Sequence, residues 1–163
     1  MRKEIYNAIK RRLGILCRND AGEYYMAPDD TDADMIEPVI RHIDLWNRNV
    51  EFIDQEIPWE RPAVFVEFSP VRWEAIVPGV EYRAEPQIIL HIVTDWAETA
   101  SEESRESIDM LDLADRIHDA IAGLSGRTFR EMSLLESQTN HNHEDIVENI
   151  EIYGYVAFKS AGR

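Results

Sequence analysis

Arg61-Pro-Ala-Val-Phe-Val-Glu-Phe-Ser-Pro70, Val71-Arg-Trp-Glu-Ala-Ile-Val-Pro-Gly-Val80 and Glu81-Tyr-Arg-Ala-Glu-Pro-Gln-Ile-Ile-Leu-His-Ile-Val-Thr-Asp-Trp96 decide how this chain folds. They are three β-rich runs, separated by Ser69-Pro70 and Pro78-Gly79, both turn signals. Side chains on a strand alternate with period two. The third run therefore sets Tyr82, Ala84, Ile88, Leu90, Ile92 and Trp96 on one side and Glu81, Arg83, Glu85, Gln87 and His91 on the other. Pro86 brings no N–H to a ladder, which places an edge or a bulge there. The expectation is a β-meander over 61–96 whose apolar side is covered by helices. On this register Leu90→Asp costs far more than His91→Asp, because only the first buries an unpaired charge.

The flanks supply candidate cover. Residues 2–13, within an N-terminal helical stretch 1–17, carry Ile5, Ala8, Ile9 and Leu13 on one stripe, with Gly14 as a stop. Arg2, Lys3, Lys10, Arg11 and Arg12 cover the rest, either as a solvated face or as a contact to an acidic neighbour. Residues 18–35 read as a loop. Within it Asp30, Asp32 and Asp34 have the spacing that opens an EF-hand calcium loop, but Met35 stands where glycine belongs and Arg41 where the bidentate glutamate belongs. Asp34 reads instead as an N-cap, boxed by Glu37 and followed by Pro38. A helix over 35–55 follows from Ile36, Ile40, Ile43, Trp46, Val50 and Ile53. A third helix carries Ile108, Leu111, Ala114, Ile117, Ile121 and Leu124, capped by Gly123 or Gly126. Strands follow at 129–139 and 147–159, the last with Ile150, Ile152, Val156 and Phe158 on one face and Tyr153 and Tyr155 on the other.

Composition narrows the function classes. At 163 residues the chain is long enough for one domain, 1–163, with a core that needs no staples. Lys+Arg 17 against Asp+Glu 32 gives a net charge of −15, which repels phosphate backbones and anionic membranes. The single cysteine, Cys17, excludes an internal disulfide and agrees with a reducing compartment. No stretch has the length and apolarity of a membrane span.

Sites of chemistry are sparse. His141-Asn142-His143-Glu144-Asp145 offers two imidazoles and carboxylates to a metal, but lacks a further ligand motif. Cys17 has no histidine near it in sequence, and neither a nucleophile elbow nor a phosphate-binding glycine motif is present. Glu67, Glu74, Glu81 and Glu85 are the solvent-facing glutamates that alternation produces. Trp46, Trp59, Trp73 and Trp96 read as core and interface anchors. His42, His91 and His118 read as surface or satisfied core residues. No catalytic, cofactor or metal residue is assigned.

Four segments carry a resemblance. They are Arg61–Phe68, Ile88–Thr94, the helix near Ile108–Leu124 and the closing Ile152–Phe158. In pattern and length they resemble the tail-terminator family of long-tailed bacteriophages and prophages, also described as minor tail or tail-completion proteins. The resemblance implies an α+β fold: a mostly antiparallel sheet with helices packed on one face. It further implies a structural, non-enzymatic role without cofactors. Copies would form a homo-oligomeric ring, typically a hexamer, capping the tail tube and meeting tail-tube and head-connector proteins, with no membrane contact and no specific nucleic-acid binding. The implied location is the bacterial host cytoplasm during assembly, then the virion tail. Two readings stand beside it: a metal-dependent hydrolase using His141, His143 and Asp145, and a protein-binding module with no phage link.

Overall fold

The computed structural model of the chain describes residues 1–50, 59–95, 104–140 and 146–162, with 104–109 described by backbone alone. The elements are α1 (Arg2–Gly14), β1 (Leu16–Arg18), β2 (Tyr24–Met26), a 3-10 turn (Ala33–Met35), β3 (His42–Leu45), β4 (Ala63–Phe68), β5 (Glu74–Val77), β6 (Glu81–Ala84), β7 (Gln87–Asp95), α2 (Ser104–Ile121), β8 (Phe129–Asn140) and β9 (Ile146–Ser160). This is an α+β fold built on a mainly antiparallel sheet, with β1 and β2 forming a separate two-stranded ribbon.

Pro78-Gly79 reverses the chain, and Ser69-Pro70 does not. Gly79 takes φ +75, a conformation cheap only for glycine, and Val80 N donates to Val77 O at 2.9 Å. β4 and β5 then lie along one arm, opposite β7 and β6: Phe68 pairs with Ile88 and Glu74 with Arg83. The expected three-run meander is thus a long two-armed hairpin, broken once in each arm. Pro86 marks the break in the return arm, yet β9 pairs across it without a register change, Ala84 opposite Ala157 and Gln87 opposite Gly154. Tyr155 N donates to Pro86 O at 3.2 Å and keeps the ladder closed there. β9 is 15 residues long, lies between this arm and β8, and ties the sheet together.

The expected helix over 35–55 is not formed in its described part. A single 3-10 turn is followed by extended chain and by β3, which runs parallel to β4 with Ile43 opposite Val64. Ile43 and Leu45 alternate with His42, Asp44 and Trp46, so a strand reading was available in the same residues. Tertiary context chose it: the outer edge of β4 needs partners, and Arg41 N to Pro62 O (2.8 Å) and Trp46 N to Val66 O (2.9 Å) supply them. Residues 51–55 lie outside the described residues. The capping box is also absent, since Asp32, not Asp34, caps the short turn by accepting from Asp34 N at 3.2 Å.

The N-terminal helix ends at Gly14 rather than running through 17, because Leu16–Arg18 pairs with Tyr24–Met26. Ile5, Ile9 and Leu13 have no exposed area. With Leu113, Ala114, Ile117 and Ile121 of α2 they cover Val64, Val66, Ile88, Leu90, Ile92, Tyr153 and Tyr155 on one face of the sheet. Leu111, expected on that stripe, is half exposed, and Leu113 takes the buried place. Gly123, at φ +71, follows the end of α2. On β9 it is the tyrosine side that meets the helices, while Ile150, Ile152 and Val156 stay half-buried on the other. That second face has its own cluster, Val50, Ala63, Phe65, Val93 and Ile146, with Trp46 and Trp59 against it.

Candidate functional site

On the face that no described helix covers, His91 is held between two carboxylates. Its Nδ1 lies 2.5 Å from Glu148 Oε1 on β9, and its Nε2 lies 2.8 Å from Glu67 Oε2 on β4. Trp46, at the end of β3, stacks flat over the ring, with centroids 3.7 Å apart and planes within 4°. The His91 and Glu148 side chains are buried, and that of Glu67 is 39% exposed. Asn140 Nδ2 donates to Glu148 Oε2 at 3.3 Å from β8. A neutral imidazole donates from one nitrogen only, so both contacts are hydrogen bonds when one further proton sits on the ring or on a carboxyl. With both nitrogens taken, the ring has none left to activate a nucleophile. The group is a clamp across β4, β7 and β9, roofed from β3.

Glu67, which alternation assigned to solvent, is half-buried and turns one oxygen to His91; Glu74, Glu81 and Glu85 are exposed as expected. His91 is a satisfied core residue. The signal was present in Ile88-Ile-Leu-His-Ile-Val93, an apolar run too continuous for a strand wet on one face.

The helix-covered face holds its own polar groups under α2. Glu151, 7% exposed, accepts from Ser137 Oγ at 2.6 Å. Burial raises its pKa above the ordinary carboxylate value, partly offset by the Ser137 hydrogen bond. The Tyr153 hydroxyl lies 3.4 Å from His118 Nδ1, and burial, with Glu151 and Asp119 nearby, raises the phenol. Thr139 Oγ1 donates to Asn149 Oδ1 at 2.8 Å, while Asn149 Nδ2 and the Tyr155 hydroxyl find no partner among the described residues.

His141, His143 and Asp145 lie outside the described residues. Among the described residues, no three His, Cys, Asp or Glu side chains stand as a metal-binding group, and this includes Asp30, Asp32 and Asp34. Cys17 is buried, its thiol 3.5 Å from Ile15 O. Trp59 packs edge-on to Phe65 at 4.9 Å, and Trp73 packs against the helix-side core. Trp96 lies outside the described residues.

The remaining features belong to the surface. Glu4, the one acid of α1, accepts from Arg127 N (2.6 Å), Thr128 N (3.2 Å) and the Thr128 hydroxyl. The Thr128 hydroxyl above all holds its pKa below the ordinary value; desolvation, the next largest effect, opposes it, and the two backbone N–H groups add to the lowering. The outer face of α1 is left to exposed Arg2, Lys3, Lys10 and Arg11. Arg12 donates to Ala120 O at 3.0 Å and lies 3.8 Å from Asp29. Asp29 opens an exposed loop that also carries Asp30, Asp32, Asp34 and Glu37, with Met35 82% exposed among them. An open cleft of about 940 Å³ lies beyond, where Arg41 pairs with Glu37 at 2.8 Å and Arg61 pairs with Asp95. No helix of the described residues is long and apolar enough to cross a membrane.

No family model matches the chain, and no curated protein matches it. Among solved structures it is similar to a chain from the virion of a native gene transfer agent (GTA) particle. The two are 12% identical with a TM-score of 0.43, over 73% of this chain and 79% of that one. A likeness of that size carries no argument about what this chain does.

Proposed function

We propose that this chain is a structural subunit of a phage-like particle, working as a tail terminator. Copies assemble into a ring, hexameric as in the family it resembles, that closes a tail tube and offers its other side to the head. The observation that carries the reading is the architecture. A mainly antiparallel sheet is layered by α1 and α2 on one face, and β8, which among the described residues pairs with β9 alone, leaves a 12-residue strand at its edge. That is the layering the resemblance implies, and an open strand edge is a ready surface for assembly.

In this reading the chain works as one domain, without catalysis, metal or cofactor. It meets tail-tube and head-connector proteins in the host cytoplasm and stays in the virion tail. A net charge of −15 suits a lumen through which DNA passes without sticking. Sedimentation and native mass spectrometry of the purified chain, alone and with tail-tube protein, test the proposal. A closed ring is the expected result, with no shift of double-stranded DNA in a gel at low salt. A monomer at every protein concentration, tubes present, overturns it.

A further inference from the structure

The outer face of α1 is unusual for this molecule. Lys3, Asn7, Lys10 and Arg11 recur at helical spacing opposite Ile5, Ile9 and Leu13, and all four are exposed. Because Glu4 is turned inward onto Arg127 and Thr128, no carboxylate of α1 offsets them. Among the described residues neither Lys3, Lys10 nor Arg11 has an ion-pair partner, in a chain with 32 carboxylates. Beside this face, across the Arg12–Asp29 approach at 3.8 Å, begins its complement. Asp30, Asp32 and Asp34 are exposed together there, with Met35 in their midst as an apolar contact.

Two patches of opposite sign on one chain can pair with those of a second copy, and the ring proposed above requires that pairing to run head to tail. A rotation that closes such a head-to-tail contact gives a ring. It would also bring the exposed methionine against a neighbour, and it meets the problem of assembling subunits of charge −15 by matching opposite charges at the contact.

We infer that the basic face of α1 in one copy docks on the acidic 29–37 loop of the next, as the subunit contact of the ring. The inference rests on the self-assembly proposed above and names the surfaces that make it.

Charge reversal tests it at a fixed ionic strength of 0.1 M. Lys3→Glu with Lys10→Glu and Arg11→Glu is expected to weaken self-association by about tenfold or more, as is Asp30→Lys with Asp34→Lys. Asp32 is left alone because it caps the 3-10 turn. All five changes together restore part of the association, because the two lysines placed in the loop then face the three glutamates placed on α1, and this also shows that the variants fold. Wild-type rings that persist in both partial variants overturn this contact and leave the ring reading standing. Failure of the five-site variant to recover overturns the pairing, and assembly that stops at a two-fold dimer overturns its head-to-tail sense. A wild-type chain that never associates overturns both readings.

Discussion

The two faces of the sheet treat buried polar groups in opposite ways. Under the helices, Glu151 has one short hydrogen bond from Ser137, and Asn149 Nδ2 finds no partner among the described residues. On the face that no described helix covers, His91 has a carboxylate on each ring nitrogen and an indole across its plane. Helical cover here is mostly apolar, so Glu151 and Asn149 bond to their strand neighbours Ser137 and Thr139, while the Tyr153 hydroxyl reaches His118 of α2. Among the described residues, the other face is covered by strand ends and single aromatic rings, and it keeps a polar network that is connected at its centre. Burial and helical cover are therefore separate matters in this protein.

The largest expected effect lies at the centre of the covered face. Leu90 has no exposed area, and Leu90→Asp places an unpaired carboxylate among Ile5, Ile9 and Ile117; a loss of roughly 4 kcal/mol or more is expected in chemical denaturation. On the other face, His91→Asp sets a third carboxylate between Glu67 and Glu148 and removes the ring under Trp46. A loss of about 3 kcal/mol is expected, the usual cost of leaving buried charges uncompensated. Alternation alone treats this substitution as mild. A melting curve for His91→Asp that overlies the wild type would return this face to solvent and break the comparison.

The smallest effect sharpens it, and it has a sign. Burial raises the pKa of Glu151 in the folded state, so the native chain holds that proton more tightly than the unfolded chain does. The ionised carboxylate consequently destabilises the fold at pH values above the raised pKa. This penalty disappears as pH falls below the unfolded value. Glu151→Gln is neutral at every pH and keeps an oxygen for Ser137. It should melt slightly above wild type at pH 7 and level with it in acid. A variant that melts below wild type at pH 7 would mean that the charge is needed, and the covered face would then be as well compensated as the other.

Much of this fold is legible in the residues. α1 and α2, the turn at Pro78-Gly79, the two C-terminal strands and the burial of Ile88, Leu90 and Ile92 all follow from periodicity and from glycine's freedom at positive φ, whereas the edge or bulge expected at Pro86 is not formed against β9, which pairs across it in register. These are local rules, and neighbours a few residues away satisfy them. The fate of 36–46 is not local, because its apolar spacing admits a helix or a strand and only the unpaired edge of β4 decides. Whether Ser69-Pro70 turns the chain or merely interrupts it depends on the strand opposite. The His91 clamp lies furthest from local reading. Its members come from β4, β7, β9 and the residue that follows β3, and meet only after β9 has crossed the sheet beside β7. Alternation names the face on which a side chain sits; only the assembled sheet decides what covers that face.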